Sequence, residues 1–160
     1  MKAKYINPFY QATNDVLNNM LELNTERGQL DVIEDIVPGN EANVIIGITG
    51  DLSGSILYSF SKDMTLEIVK MMSGMEMEEL DSFVTSALGE VANIISGNAV
   101  TYLKNENYNC DIVPPQVIIG QNKSLSMATE KALLLPVKTD IGKFDLNISV
   151  KEAIEQKPLN

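Results

Sequence analysis

From about Asp81 to Lys104 the sequence carries one long helical pattern, and nothing else in the chain constrains its fold as strongly. At about 100° per residue, Val84, Ala87, Leu88, Val91 and Ile95 fall on one side of the cylinder. Ser86, Glu90, Asn93 and Gly97 fall on the other, spaced i, i+4, i+7 and i+11. Most helical stability in proteins comes from packing an apolar face, so this stripe demands a second layer to lie on. Docked that way, the helix presents Glu90 and Asn93 together to solvent or to a partner.

The remaining segments supply that layer. Asn7-Pro8 reads as a helix start, with a capping side chain and a proline at the first helical position. Phe9, Ala12, Val16 and Met20 follow at helical spacing, and Gly28 or the turn before it ends the pattern. Strand patterns at Leu30–Val37, Asn43–Thr49 and Ser53–Phe60, separated by Pro38-Gly39-Asn40 and Gly50-Asp51, predict an antiparallel meander. Asp63 is expected to cap a short helix from Met64 to about Met72, closed near Gly74. The acidic cluster Glu76, Glu78, Glu79 and Asp81 reads as solvated capping of the long helix, favoured by its macrodipole. The methionines crowded around the short helix read as filling for an irregular core. Beyond Pro114-Pro115 come strands Gln116–Ile119, Thr129–Lys138 and Phe144–Lys151, the last two joined by a hairpin turn at Thr139-Asp140-Ile141-Gly142. This order predicts an α+β fold: an antiparallel sheet with the long helices packed on one face. A single domain is expected over 1–155, with a tail at 156–160.

Composition closes off several functions. A chain of 160 residues can bury a core without disulfides or metal. The formal net charge of −10 argues against nucleic acid and anionic membrane as partners. The chain has no histidine, which excludes Ser-His and Cys-His catalysis and His-metal sites. Its one cysteine, Cys110, sits in an apparent loop and reads as an ordinary reduced thiol. No signal peptide is legible at the N-terminus, and the apolar runs around Val44–Ile48 and Ala132–Val137 are too short to span a bilayer. A cytoplasmic protein is expected.

Glu-x-x-Asn on an exposed helix is common, and alone it usually marks solvated surface. Two glycines sharpen it. Gly89 and Gly97 each cost about 1 kcal/mol relative to alanine inside a helix. Both lie on or beside the Glu90/Asn93 face, so that face is expected to let something approach closely. Asn98 is expected to turn toward the apolar side.

Ser86-x-x-x-Glu90-x-x-Asn93, set in SALGEVANIISGNA, closely resembles the signature of the CheC/CheX/FliY family of chemotaxis phosphatases, as does the order of elements over nearly the whole chain. The opening Ile6-Asn7-Pro8-Phe9 is similar to the CheX branch. CheC-like members carry two Glu-x-x-Asn sites; here the first helix, Tyr10 to Met20, has no glutamate three residues before an asparagine. A single site on the second long helix is the CheX pattern. FliY-like members carry an additional switch domain for which 160 residues leave no room. The family's downstream proline is matched by Pro114-Pro115, about one residue short of its usual spacing.

The resemblance implies a phosphatase for the aspartyl phosphate of a CheY-type response regulator in chemotaxis. Asn93 would orient the attacking water, Glu90 would pair with a receiver lysine, and Ser86 and Gly97 would help the face dock. The protein would need no cofactor of its own, Mg²⁺ arriving with the receiver. It would form a homodimer through sheet edges. Two alternatives share the fold: a non-catalytic module that binds a receiver or flagellar switch component, and a phosphatase for a regulator outside chemotaxis.

Overall fold

The computed structural model describes residues 3–38, 40–120 and 124–153. Along the chain these form α1 (Ala3–Leu21), β1 (Thr25–Arg27), β2 (Asp31–Pro38), β3 (Ala42–Gly50), β4 (Leu52–Phe60), α2 (Lys62–Ser73), α3 (Ser82–Asn105), β5 (Cys110–Ile112), β6 (Gln116–Ile119), β7 (Ser124–Thr139) and β8 (Gly142–Glu152). The expected tail at 156–160, and Gly39 of the first expected turn, lie outside the described residues.

α1 begins before the Asn7-Pro8 pair, leaving Pro8 inside the helix. The first turn is held by distant contacts: Tyr5 and Ile6 are buried, and the Tyr5 hydroxyl donates to Glu152 Oε1 at 2.7 Å. Pro8 is the sixth residue of the helix, past the first-turn N–H groups that have no partner, so its missing N–H costs α1 the bond to the Lys4 carbonyl. The helix ends at Leu21 because Glu22 turns left-handed (φ 55°). The Glu22 N–H then reaches the Asn18 carbonyl at 3.0 Å, the αL closure made without glycine, and the Leu23 N–H reaches the Leu17 carbonyl at 3.1 Å. Gly28 stops nothing. It lies against Pro136, whose Cβ would stand 3.0 Å from an added side-chain carbon.

The eight strands form one sheet in the order β1-β7-β8-β4-β3-β5, with β2 also pairing β7 and β6 also pairing β3. β3 and β4 make the expected hairpin. β2 does not join them in a meander. It pairs antiparallel with β7, from Asp31↔Leu134 to Pro38↔Ser124. The reason is topological, since β3 already has β4 on one side and β5 and β6 on the other. The β7–β8 hairpin forms as expected, its turn closed by Thr139 Oγ1 donating to the Gly142 carbonyl at 2.7 Å. Cys110 is not in a loop: it opens β5 opposite Gly50, is buried, and has its thiol pKa raised by that burial.

Alternation along the strands sends Val44, Ile46, Ile48, Ile56, Tyr58, Leu135, Val137, Leu146 and Ile148 toward the helices. They share one core with Phe9, Val16 and Leu17 of α1, Ile68 of α2 and Leu88, Val91 and Ile95 of α3. Phe60 and Phe144 stack in it at 4.6 Å. On the opposite face Leu57 and Ala132 form a smaller cluster with Ile33, Ile45 and Ile118. The fold is therefore α+β, with the helices on one face of an antiparallel sheet.

α2 is capped by Ser61 rather than Asp63. The Ser61 Oγ accepts from the Met64 N–H at 3.1 Å, and Asp63 sits in the first turn, where a carboxylate suits the macrodipole. Gly74 closes the helix in the left-handed conformation, as expected. Asp81 caps α3, its Oδ1 accepting from the Val84 N–H at 2.9 Å. Glu76 and Glu79 pair with Lys70 and Lys62, at 2.9 Å and 3.4 Å. The methionines divide: Met64 and Met72 join the core, whereas Met71 and Met75 are exposed.

Candidate functional site

α3 is fixed from beneath at several points along its length. Val84, Leu88, Val91, Ala92, Ile95, Ala99 and Leu103 are buried. Ser96 lies among them, hydrogen-bonded to the Tyr58 hydroxyl at 2.7 Å; burial raises the pKa of that phenol. The Tyr102 hydroxyl donates to the Asp15 carboxylate of α1. Gly89 is also buried, and a Cβ there would lie 3.3 Å from Val117 Cγ2 and 3.8 Å from Pro115 Cγ. Gly89 thus admits the chain's own Pro115–Val117 segment rather than an outside partner. The same contact gives Pro115 a role: it braces the helix one turn before Asn93.

The opposite face is open. Ser86 and Glu90 are exposed, and Asn93 and Gly97 are half-buried, so all four predicted residues lie along one stripe. Nothing lies within 4 Å of a Cβ added at Gly97. Among the described residues, the side chains of Ser86, Glu90 and Asn93 take part in no hydrogen bond or ion pair. Asn98 is exposed, contrary to the sequence expectation, because 3.6-residue geometry carries it off the buried stripe. Past Gly97 the face borders a groove of about 410 Å³ lined by Val100, Thr101, Lys104, Asn109, Cys110 and Asp111.

Two features of this face escaped the sequence reading. Phe83 is 45% exposed, whereas Phe9, Phe60 and Phe144 are no more than 1% exposed. Glu90 and Lys104 are the only charged side chains on α3. Phe83 could have been found by stepping back one heptad from Glu90 along the same stripe.

Chemically, the face holds an amide and a carboxylate about 5–6 Å apart at their Cβ atoms, as i, i+3 neighbours on a helix are. The amide offers a donor and an acceptor without titrating near neutrality. Among the described residues, no group of three or more His, Cys, Asp or Glu is placed to hold a metal ion. No described helix is long and apolar enough to cross a membrane.

Long helices on one face of an eight-stranded antiparallel sheet make this a protein of the CheC-like class. A CheC-like superfamily protein from Shewanella sp. PV-4 superposes with a TM-score of 0.86 at 26% identity, over 94% of this chain and 99% of that one. Residues 42–138 match the family model described as chemotaxis phosphatase CheX. The CheY-P phosphatase CheX of Thermotoga maritima is 31% identical over 153 residues, covering 94% of this chain and 98% of that protein. The CheX–CheY–BeF₃–Mg²⁺ complex of Borrelia burgdorferi matches at 32% identity with a TM-score of 0.78, over 92% of this chain and 98% of that one. The chain belongs to the CheX family of chemotaxis phosphatases.

Proposed function

We propose that this protein hydrolyses the aspartyl phosphate of a CheY-type receiver in chemotaxis signalling, and that it does so through Asn93 and Glu90. Family membership supports the reaction. The observation that carries the residue assignment is the open Glu90/Asn93 pair, without a partner among the described residues, on a helix braced by Tyr58 and Pro115.

Phosphoryl transfer leaves a protein little covalent work; positioning and electrostatics do most of it. The receiver brings the phosphoryl group and its Mg²⁺, in keeping with the Borrelia relative, whose CheY complex contains BeF₃ and Mg²⁺. Asn93 enters the receiver's active site and aligns a water with the scissile P–O bond. It accepts no proton, so the lack of histidine is no obstacle. Glu90 pairs with a receiver lysine and fixes the register of docking, while Ser86 and Gly97 let the helix face seat closely. Fixing a water in near-attack geometry contributes roughly 1.4–4 kcal/mol, a ten- to thousand-fold acceleration. Two further assignments accompany this reading, a cytoplasmic location and a homodimer that covers exposed sheet edges.

The test is turnover of a phosphorylated CheY receiver by substoichiometric protein, wild type beside Asn93→Ala. Multiple turnovers that vanish in the variant, with binding to the beryllofluoride-activated receiver retained, support the mechanism. Binding by the wild type without acceleration would identify a non-catalytic receiver-binding module instead.

A further inference from the structure

We infer that the docking surface for the receiver runs the whole length of the open face of α3, with Phe83 as its apolar anchor at one end and Lys104 as its charged contact at the other. This rests on the phosphatase reading above and extends it to residues outside the Ser86/Glu90/Asn93 signature.

Scale is the first reason. A specific protein–protein interface of ordinary size buries about 800 Å² on each partner, a patch roughly 32 Å across. If Asn93 reaches into the receiver's active site, the patch around it extends about 16 Å in each direction along the helix. Phe83 lies ten residues before Asn93 and Lys104 eleven after, about 15 Å and 16 Å at the helical rise. Both lie on the same side of the cylinder as Glu90 and Asn93. The signature covers only the middle of the surface that an ordinary interface needs, and these two residues stand at its ends.

Chemistry is the second. Phe83 is the one phenylalanine the core does not take, and an exposed aromatic ring gains the most from being covered by a partner. Lys104 projects from a helix whose only other charge is Glu90, in a chain of net charge −10. It lines the groove beside Val100 and Thr101, and it belongs to neither of the ion pairs found among the described residues, Lys62–Glu79 and Lys70–Glu76. Asp111 lines the same groove, so an acidic group on the receiver meets the exposed Lys104 ammonium from the open side of the helix rather than from within the groove. Glu90 and Lys104, of opposite sign, then fix the direction in which the receiver lies along the helix.

The experiment measures binding of beryllofluoride-activated CheY receiver, and kcat and KM for the phosphorylated receiver, for wild type, Phe83→Ala, Lys104→Glu and Asn93→Ala. Phe83→Ala is expected to raise Kd and KM about tenfold with kcat within twofold. Lys104→Glu is expected to raise them about five-fold at low salt, an effect shrinking below twofold at 0.5 M salt. Asn93→Ala is expected to do the reverse, losing kcat and keeping Kd. Unchanged Kd and KM in both end variants, with turnover still lost in Asn93→Ala, would overturn the extended surface and leave the phosphatase reading standing. A shift in sedimentation velocity of Phe83→Ala alone, without receiver, would also overturn it, by assigning that end to contact between copies of this chain. A wild-type protein that neither binds nor dephosphorylates the receiver would remove both readings together.

Discussion

α1 and α3 lie on the same sheet and are both long and rich in polar side chains, yet they use them differently. On α1 several polar groups are committed to the fold. Asn7 accepts from Arg27, Asn14 accepts from Thr25 at 2.6 Å, and Asp15 accepts from Tyr102. On α3 the open stripe holds Ser86, Glu90 and Asn93, none with a partner among the described residues. Asn7 and Asn14 are thus structural residues, whereas Asn93 is a candidate reactive one. What separates the two is the list of partners, which residue type alone does not supply.

The largest expected effect tests that contrast directly. Asn93→Ala should cut turnover of phosphorylated CheY about 100-fold while leaving the melting temperature within a degree or two, read by phosphate release and circular dichroism. Ser96→Ala comes next, because it strips the buried Tyr58 hydroxyl of its partner. It should destabilise by about 1–3 kcal/mol in urea unfolding, and Tyr58→Phe added to it should recover most of the loss. Asn14→Ala, the same chemical change as at Asn93 but on α1, should lose about 1 kcal/mol of stability and leave kcat and KM unchanged. A turnover defect there would break the comparison. Gly97→Ala should stabilise by about 0.5–1 kcal/mol, since an added methyl meets nothing in the chain, yet weaken receiver binding by crowding the docking face.

The smallest effect belongs to neither helix. Asp145 is paired with Ser59 in the sheet, and its neighbours Phe144 and Leu146 face the core, so it lies on the side away from α1 and α3. Burial raises its pKa, against a smaller opposing influence from Lys143. A carboxyl whose folded pKa is raised contributes stability that is present below the ordinary carboxylate range and lost as pH climbs through the raised value. Asp145→Asn should therefore melt higher than wild type at pH 7 and match it near pH 3, with turnover unaltered at neutral pH.

The α+β layering and the open face of α3 were legible because their signals are local. The apolar stripe, the Asp81 cap and the Gly74 stop are each set within a few residues. What escaped depends on distant partners. The first turn of α1 is held by Glu152, far along the chain, and β2 finds β7 rather than its neighbour in sequence. Gly89 looked like a docking feature until Pro115 and Val117 were seen against it. Phe83 and Lys104 share the stripe of the signature but lie outside its polar pattern.

On the proposed mechanism, pinning α3 to β4 through Ser96 and Tyr58, and bracing it with Pro115, makes the sheet the jig that sets the aim of Asn93. Alignment of a reacting water tolerates little error, and a displacement of about 1 Å can cost 100-fold in rate. Substitutions in β4 or β6, which never touch the receiver, should then surface as kinetic defects in a well-folded protein. Purifying selection for catalysis would accordingly reach deep into the sheet, well beyond the helix proposed to meet the substrate.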